Sequence, residues 1–184
     1  MIERVSLITG NEGKAAEYAS LLGIDVRAVK EDLVEIQSLD VAAVVERKAA
    51  DAYAKLRGPV LVDDTGLVVN AWNGLPGALV AWFLDSVGTQ GILDMAASLT
   101  DRAASVTTAL GYADENGIQV VTGTLQGTLA TERRGTNGFG YDEIFVPAGG
   151  DLTFAEMSTE QKNLVSHRRL AADALRAEFG VPGS

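Results

Sequence analysis

The tetrapeptide Asp114-Glu115-Asn116-Gly117 constrains the fold more than any other feature of the chain. It separates two β-rich runs, residues 105–113 and 118–125, with the acid, amide and glycine types that close a tight hairpin. Two consecutive strands must therefore be antiparallel. The chain opens differently: Val5-Ser6-Leu7-Ile8 reads as a short buried strand, and Asn11 can cap a helix over about residues 12–22. A second helix is expected over residues 41–56, capped by Asp40 and stopped by Gly58-Pro59, with Val41, Val44, Val45, Ala49, Ala52 and Leu56 as its core stripe. Pro59-Val60-Leu61-Val62 follows as an apolar strand expected to stop at Asp63-Asp64-Thr65-Gly66. Further helices are expected over residues 78–86 and 91–99, a loop over 135–140, a short strand over 144–146, and a C-terminal helix through Phe179 built on Leu170, Ala174 and Leu175. Strands and helices mix without strict alternation, which predicts an α/β fold with a mixed sheet.

Composition narrows the functions open to such a fold. With 184 residues and 47% apolar side chains, one well-buried core suffices, and a single domain spanning residues 1–184 is expected. The absence of cysteine removes disulfides, thiolate metal sites and cysteine nucleophiles, leaving oxygen and nitrogen chemistry. A formal charge of −10 argues against polymeric nucleic acid, whose nonspecific affinity comes from basic side chains displacing counterions. A small phosphorylated ligand stays compatible, because a few local Lys and Arg act at short range. Met1-Ile2-Glu3-Arg4-Val5 shows no basic leader before an apolar run, and no segment approaches the roughly 20 apolar residues that span a bilayer. A cytoplasmic location without a membrane partner is the expectation.

Four motifs carry candidate chemistry. Thr9-Gly10-Asn11-Glu12-Gly13-Lys14 delivers a glycine-bearing turn into a helix N-terminus, where backbone N–H groups and the helix dipole favour a phosphate. It is not a Walker A loop, since only two residues separate its glycines and Ala15 follows Lys14; taken alone it fits a plain capped helix equally well. Asp63-Asp64-Thr65-Gly66 ends an apolar strand, and alternation along a strand sends the two carboxylates to opposite faces. One would face the site as a hard oxygen ligand for magnesium, or the four residues form a simple turn. Gly138-Phe139-Gly140-Tyr141-Asp142 offers glycines for close backbone approach and aromatic faces for stacking on a base, unless the rings simply join the core. Lys162-Asn163-Leu164-Val165-Ser166-His167-Arg168 holds the single histidine. On one continuous helix Lys162 and Arg168 would lie about 120° apart, so a break at Ser166 is inferred; restarting there puts His167 and Arg168 at a positive helix end. A continuous helix with a solvated basic face is the alternative.

In this order along the chain the motifs resemble the inosine triphosphate pyrophosphatase family, the deaminated-purine nucleoside triphosphate pyrophosphatases. The likeness runs from Val5 to about Leu175 and adds Gly74-Leu75-Pro76-Gly77 and Ala155-Glu156-Met157 to the segments above. It implies a long curved mixed β-sheet flanked by helices, two lobes with a nucleotide cleft between them, and a homodimer. By position, Thr9, Gly10, Asn11, Glu12, Gly13 and Lys14 would hold the triphosphate, with Lys48 and Lys162 adding positive charge. Glu35 and Asp64 would bind Mg2+, Asp64 would act as proton acceptor, and Thr65 would touch the substrate beside it. Phe139, Gly140, Tyr141, Asp142, His167 and Arg168 would enclose the base. The activity implied is hydrolysis of inosine, deoxyinosine or xanthosine triphosphate to monophosphate and pyrophosphate; a nucleotide sensor without turnover, or a pyrophosphatase for modified pyrimidine triphosphates, are the rivals. Three positions depart from the family pattern: Leu79 and Ala81 replace a Tyr and a basic residue, and Glu143 replaces a Pro, placing an acid expected to perturb the site.

Overall fold

The computed structural model describes residues 4–179. In chain order the elements are β1 (Arg4–Ile8), α1 (Glu12–Leu22), β2 (Asp25–Val29), α2 (Val41–Leu56), β3 (Val60–Val69), β4 (Pro76–Gly77), α3 (Val80–Met95), β5 (Ala103–Asp114), β6 (Gly117–Leu129), β7 (Phe145–Pro147), α4 (Thr159–Val165) and α5 (His167–Phe179). The strands form one mixed sheet in the order β2-β1-β3-β5-β6-β7, with β4 added to β3. β1 runs parallel to both β2 and β3, whereas β3, β5, β6 and β7 are successively antiparallel. The mixed α/β architecture is thus as expected.

The hairpin closes as its residue types require. Asp114 pairs with Gly117, whose φ of 129° needs no side chain, and the Asp114 carboxylate accepts from the Asn116 amide at 2.8 Å. The first two helices begin as expected, Asn11 and Asp40 each accepting a first-turn N–H. α2 ends one residue before the Gly58-Pro59 pair, because Arg57 adopts the left-handed conformation that turns the chain out of the helix.

Other boundaries differ from expectation. β3 does not stop at Asp63; it continues through both acids to Val69, because β5 pairs with it over the whole of Val60–Val69 and its later residues Leu67 and Val69 are buried. The two helices expected on either side of residue 88 are the two halves of α3, which breaks at Gly88 in a non-helical conformation suited to glycine (φ 66°), but they span 80–95 rather than 78–99. α5 buries Ala171, Ala172 and Leu175, while Leu170, expected in the core, is exposed.

Three apolar clusters divide the interior. α2 packs on one face of β3 and β5 through Val45, Ala49, Val62 and Ala109. α1 and α5 pack on the other face through Tyr18, Leu61, Leu110 and Ala171. A third cluster, around Leu67, Ile92, Val106 and Phe145, fills the far end beneath α3 and the loop before β7. Two glycines permit the close helix approaches: a Cβ at Gly111 would lie 2.6 Å from Val45, and one at Gly123 would lie 2.2 Å from the Ala171 backbone nitrogen.

Candidate functional site

The sheet leaves a notch at its centre. β1 pairs with β3 only at Val60 and Leu61, and β4 takes up the same edge at Leu67 and Val68. Residues 62–66, which hold both acids and Thr65, lie between these two pairings. Strand alternation turns Asp63 toward α1 and Asp64 toward α2, so the two neighbouring carboxylates serve different sets of partners.

On the α1 side, Lys14 Nζ donates to Asp63 Oδ1 at 2.9 Å and the buried Tyr18 hydroxyl donates to Oδ2 at 3.1 Å. Lys14, Glu17 and Tyr18 share one helix face by their spacing. Glu17 in turn accepts from Arg168 Nη1 at 2.8 Å, and the guanidinium lies over the Tyr18 ring, 5.8 Å from its centroid. Burial opposes the Arg168 charge, but Tyr18, Glu17 and Asp63 hold it firmly protonated. Arg168 Nε, also buried, has no hydrogen-bond partner among the described residues. The turn from Thr9 to Lys14 is braced by the Thr9 hydroxyl, which accepts from the Asn11 amide, and by Asn11 capping Lys14.

On the α2 side, Lys48 Nζ reaches both carboxylates named as metal ligands, Glu35 at 2.5 Å and Asp64 at 3.2 Å. The other Asp64 oxygen accepts from the Thr65 amide at 2.8 Å. Burial raises the Asp64 pKa above the usual carboxylate range, only partly offset by Lys48 and that amide. For Lys48 burial works downward, yet Asp64 and Glu35 outweigh it and the net shift is upward. Glu35 and Asp64 open onto a cleft of about 720 Å³ lined also by Leu39, Leu79 and Trp82.

Glu35 and Asp64 are hard oxygen donors that share one cation, the Lys48 ammonium, and among the described residues no group of three or more His, Cys, Asp or Glu side chains is placed to hold a metal ion. Magnesium commonly completes its shell with phosphates and water.

The aromatic loop closes the other end. Asp142 accepts from the Phe139 amide at 2.8 Å and from Lys162 Nζ at 2.6 Å, which holds the loop against α4. Gly138 (φ 77°) is required there, since a Cβ would fall 2.0 Å from the Asp142 carboxylate. α4 ends at Val165 and α5 begins at His167, with Ser166 extended between them and accepting from the Arg169 amide. That break, as inferred, lets Lys162 and Arg168 converge: both cations lie over Phe139, 5.3 and 5.6 Å from its centroid. The lysine thus sits at the aromatic end of the site. His167 bonds Tyr141 at 3.0 Å and stacks 5.9 Å from Phe154. Burial, then Arg168 and Lys162, push His167 down to about 3, while burial drives the Tyr141 hydroxyl well above its ordinary value. Phe139 remains more than half exposed over a second cleft of about 320 Å³, lined also by Gly13, Glu17, Lys162 and Arg168.

Glu143 lines a small cleft beside Phe139, Gly140 and Asp142. Its carboxylate is taken by the Thr89 hydroxyl at 2.5 Å and Arg133 Nε at 2.9 Å, which hold it below the usual carboxylate range against the opposing effect of burial. Sequence reasoning missed Glu17, Tyr18 and Asp63 as partners of named site residues. The three- and four-residue spacings from Lys14 place Glu17 and Tyr18 on its helix face, but nothing local names Asp63 or Arg168 as their partners.

The model of the Ham1 family matches residues 5–178, nearly the whole described chain. The chain belongs to the Ham1 family. It is 40% identical over 168 residues to the dITP/XTP pyrophosphatase of Thermococcus kodakarensis, covering 90% of this chain and 91% of that protein. It is also 40% identical over 180 residues to the inosine triphosphate pyrophosphatase of Schizosaccharomyces pombe, covering 96% and 95%. Among solved structures, the Staphylococcus aureus Ham1 protein superposes with a TM-score of 0.86 at 29% identity, covering 96% of this chain and 98% of that one. This Ham1-family chain carries both acids on β3, inside the mixed sheet, with the larger cleft on its α2 side and the smaller one on its α1 side.

Proposed function

We propose that this protein hydrolyses deaminated purine nucleoside triphosphates, inosine, deoxyinosine and xanthosine triphosphate, to the monophosphate and pyrophosphate, using Mg2+. The pyrophosphatase names of the relatives support the reaction class. The observation that carries the site is the notch in β3, which sets Asp64, Lys48 and Glu35 on one side and Lys14, Arg168 and Phe139 on the other. A nucleotide laid across that edge has its phosphates among Lys14, Lys48 and the turn from Thr9 to Lys14, and its base under Phe139.

Asp64, with its raised pKa, orients a water toward the α-phosphorus and accepts its proton as the new P–O bond forms and pyrophosphate leaves. Lys48 and Lys14 offset the charge that develops on the departing group. Magnesium, held by Glu35 and Asp64, would supply charge neutralisation at the phosphate oxygens when bound. Arg168 is a donor only and can serve the O6 acceptor of hypoxanthine or xanthine but not the N6 amino group of adenine. His167, neutral, keeps Tyr141 in place beside it.

The test is pyrophosphate release from a panel of inosine, xanthosine, adenosine, guanosine and pyrimidine triphosphates, with magnesium and with a chelator. Preference for the deaminated purines, lost on chelation, is expected; faster turnover of pyrimidine nucleotides would overturn the substrate choice, and binding without release would make the protein a sensor. The homodimer is part of the same proposal. Trp82 and Val87 leave apolar surface exposed along α3, and sedimentation at micromolar concentration should give twice the 19.3 kDa chain mass.

A further inference from the structure

Glu35 poses a positional problem. It lies between β2 and α2 in a stretch, residues 30–40, that forms no helix or strand, and its side chain is 59% exposed. Neither packing nor a backbone ladder fixes it, yet it meets Lys48 beside Asp64. The anchors come from a single face of α2, where residues 48, 51 and 55 follow one another at helical spacing. Lys48 takes the Glu35 carboxylate. One turn on, Asp51 Oδ2 accepts from the Val34 amide at 3.0 Å, one residue before Glu35. A further turn on, Lys55 donates to the Asp32 carbonyl and pairs with Glu31 at 3.6 Å. Lys55 also pairs with Asp51 at 3.2 Å, so the two outer anchors brace each other.

We infer that Asp51 and Lys55 are positioning residues for Glu35: they splint the preceding loop to α2 and thereby set how tightly the site takes a divalent ion. The inference rests on the proposed metal role of Glu35. Neither side chain is placed to touch phosphate or the reacting water, so their effect falls on metal affinity rather than on the rate of the loaded enzyme. Groups that orient a metal ligand without binding the metal govern affinity in this way.

The test uses the full chain with Asp51→Ala, Asp51→Asn, Lys55→Met and, as reference, Glu35→Gln. For Asp51→Ala, the magnesium concentration giving half-maximal pyrophosphate release from inosine triphosphate should rise roughly three- to tenfold, with kcat at saturating magnesium within about twofold of the parent. Asp51→Asn keeps a carbonyl acceptor for the Val34 amide and should recover most of the loss. Lys55→Met should move the same way as Asp51→Ala by removing the second anchor, which keeps the test alive if one variant folds poorly. Calorimetric titration of magnesium into protein bound to a non-hydrolysable inosine triphosphate analogue should show the same weakening without turnover, and amide exchange over residues 31–36 should quicken. An unchanged magnesium requirement in Asp51→Ala and Lys55→Met, with a raised one in Glu35→Gln, overturns the positioning role and leaves the metal reading standing. An unchanged requirement in Glu35→Gln overturns both.

Discussion

Asp64 and His167 show how burial assigns different tasks to two titratable groups in one site. Burial raises the Asp64 carboxylate and suits it to accept a proton, so Asp64→Asn should keep nucleotide binding and lose turnover by roughly 10²- to 10⁴-fold. Unchanged pyrophosphate release would remove Asp64 from the chemistry. Because the folded pKa is raised, the metal-free carboxylate should take up its proton at a higher pH than an ordinary one, and bound magnesium should oppose that rise. His167 moves the other way, from 6.5 to about 3. A depressed folded pKa means its contribution to stability is complete above about pH 6.5 and lost as the pH falls toward 3. As the only histidine, it gives an unambiguous ring signal by NMR, which should stay neutral between about pH 5 and 8. A midpoint near the ordinary value would mean that water reaches the ring. Arg168→Ala should narrow the preference for inosine over adenosine triphosphate by about 1–3 kcal/mol, the worth of one good base contact. The ratio is insensitive to the amount of folded protein, and an unaltered ratio would assign recognition of O6 to another group.

At the scale of elements, what was legible in the sequence depended on how local its cause is. The caps at Asn11 and Asp40, the hairpin at Asp114 and the break at Ser166 are written in neighbouring residues, and each stands where short-range chemistry puts it. The length of β3 was not legible, because its polar middle, Asp63-Asp64-Thr65, is kept in the sheet by a strand some forty residues away. The burial of α5 failed for a related reason. Its docking face is chosen by Gly123 on β6, where the helix backbone comes so close that a Cβ would sit 2.3 Å from the His167 carbonyl. The same glycine therefore fixes where α5 begins, and with it the positions of His167 and Arg168. Gly123→Ala should force α5 outward, cost about 1–3 kcal/mol of stability, and raise KM for inosine triphosphate more than it lowers kcat. Denaturant unfolding together with steady-state kinetics checks this, and a stable variant with unchanged KM would show that α5 can shift without moving the site. Pairings such as Glu17 with Arg168 and Glu143 with Thr89 join residues far apart in sequence, so no local pattern announced them.

For the whole molecule, the notch in β3 turns a continuous sheet into a divider with chemistry on both sides. The groups assigned to phosphate and metal in the proposal, Lys14, Lys48, Glu35 and Asp64, belong to the part built on α1 and α2, whereas Phe139, Tyr141 and Asp142 sit on the cluster beneath α3. Arg168 and Lys162 bridge the two, which means that neither half of a nucleotide should order the whole site. Tripolyphosphate with magnesium should slow amide exchange in residues 9–14 and 31–36 and leave residues 138–142 nearly unprotected. Inosine monophosphate should do the reverse, and a non-hydrolysable inosine triphosphate analogue should protect both sets. At about 100 times its Kd that analogue should also raise unfolding free energy by about 2.7 kcal/mol, the value mass action requires of any ligand bound only by the folded state. The exchange pattern is the sharper measure, because it locates the two ends of the ligand separately. Protection of the Phe139 loop by tripolyphosphate alone would place phosphate where the base is assigned and reverse the orientation of the nucleotide across the sheet.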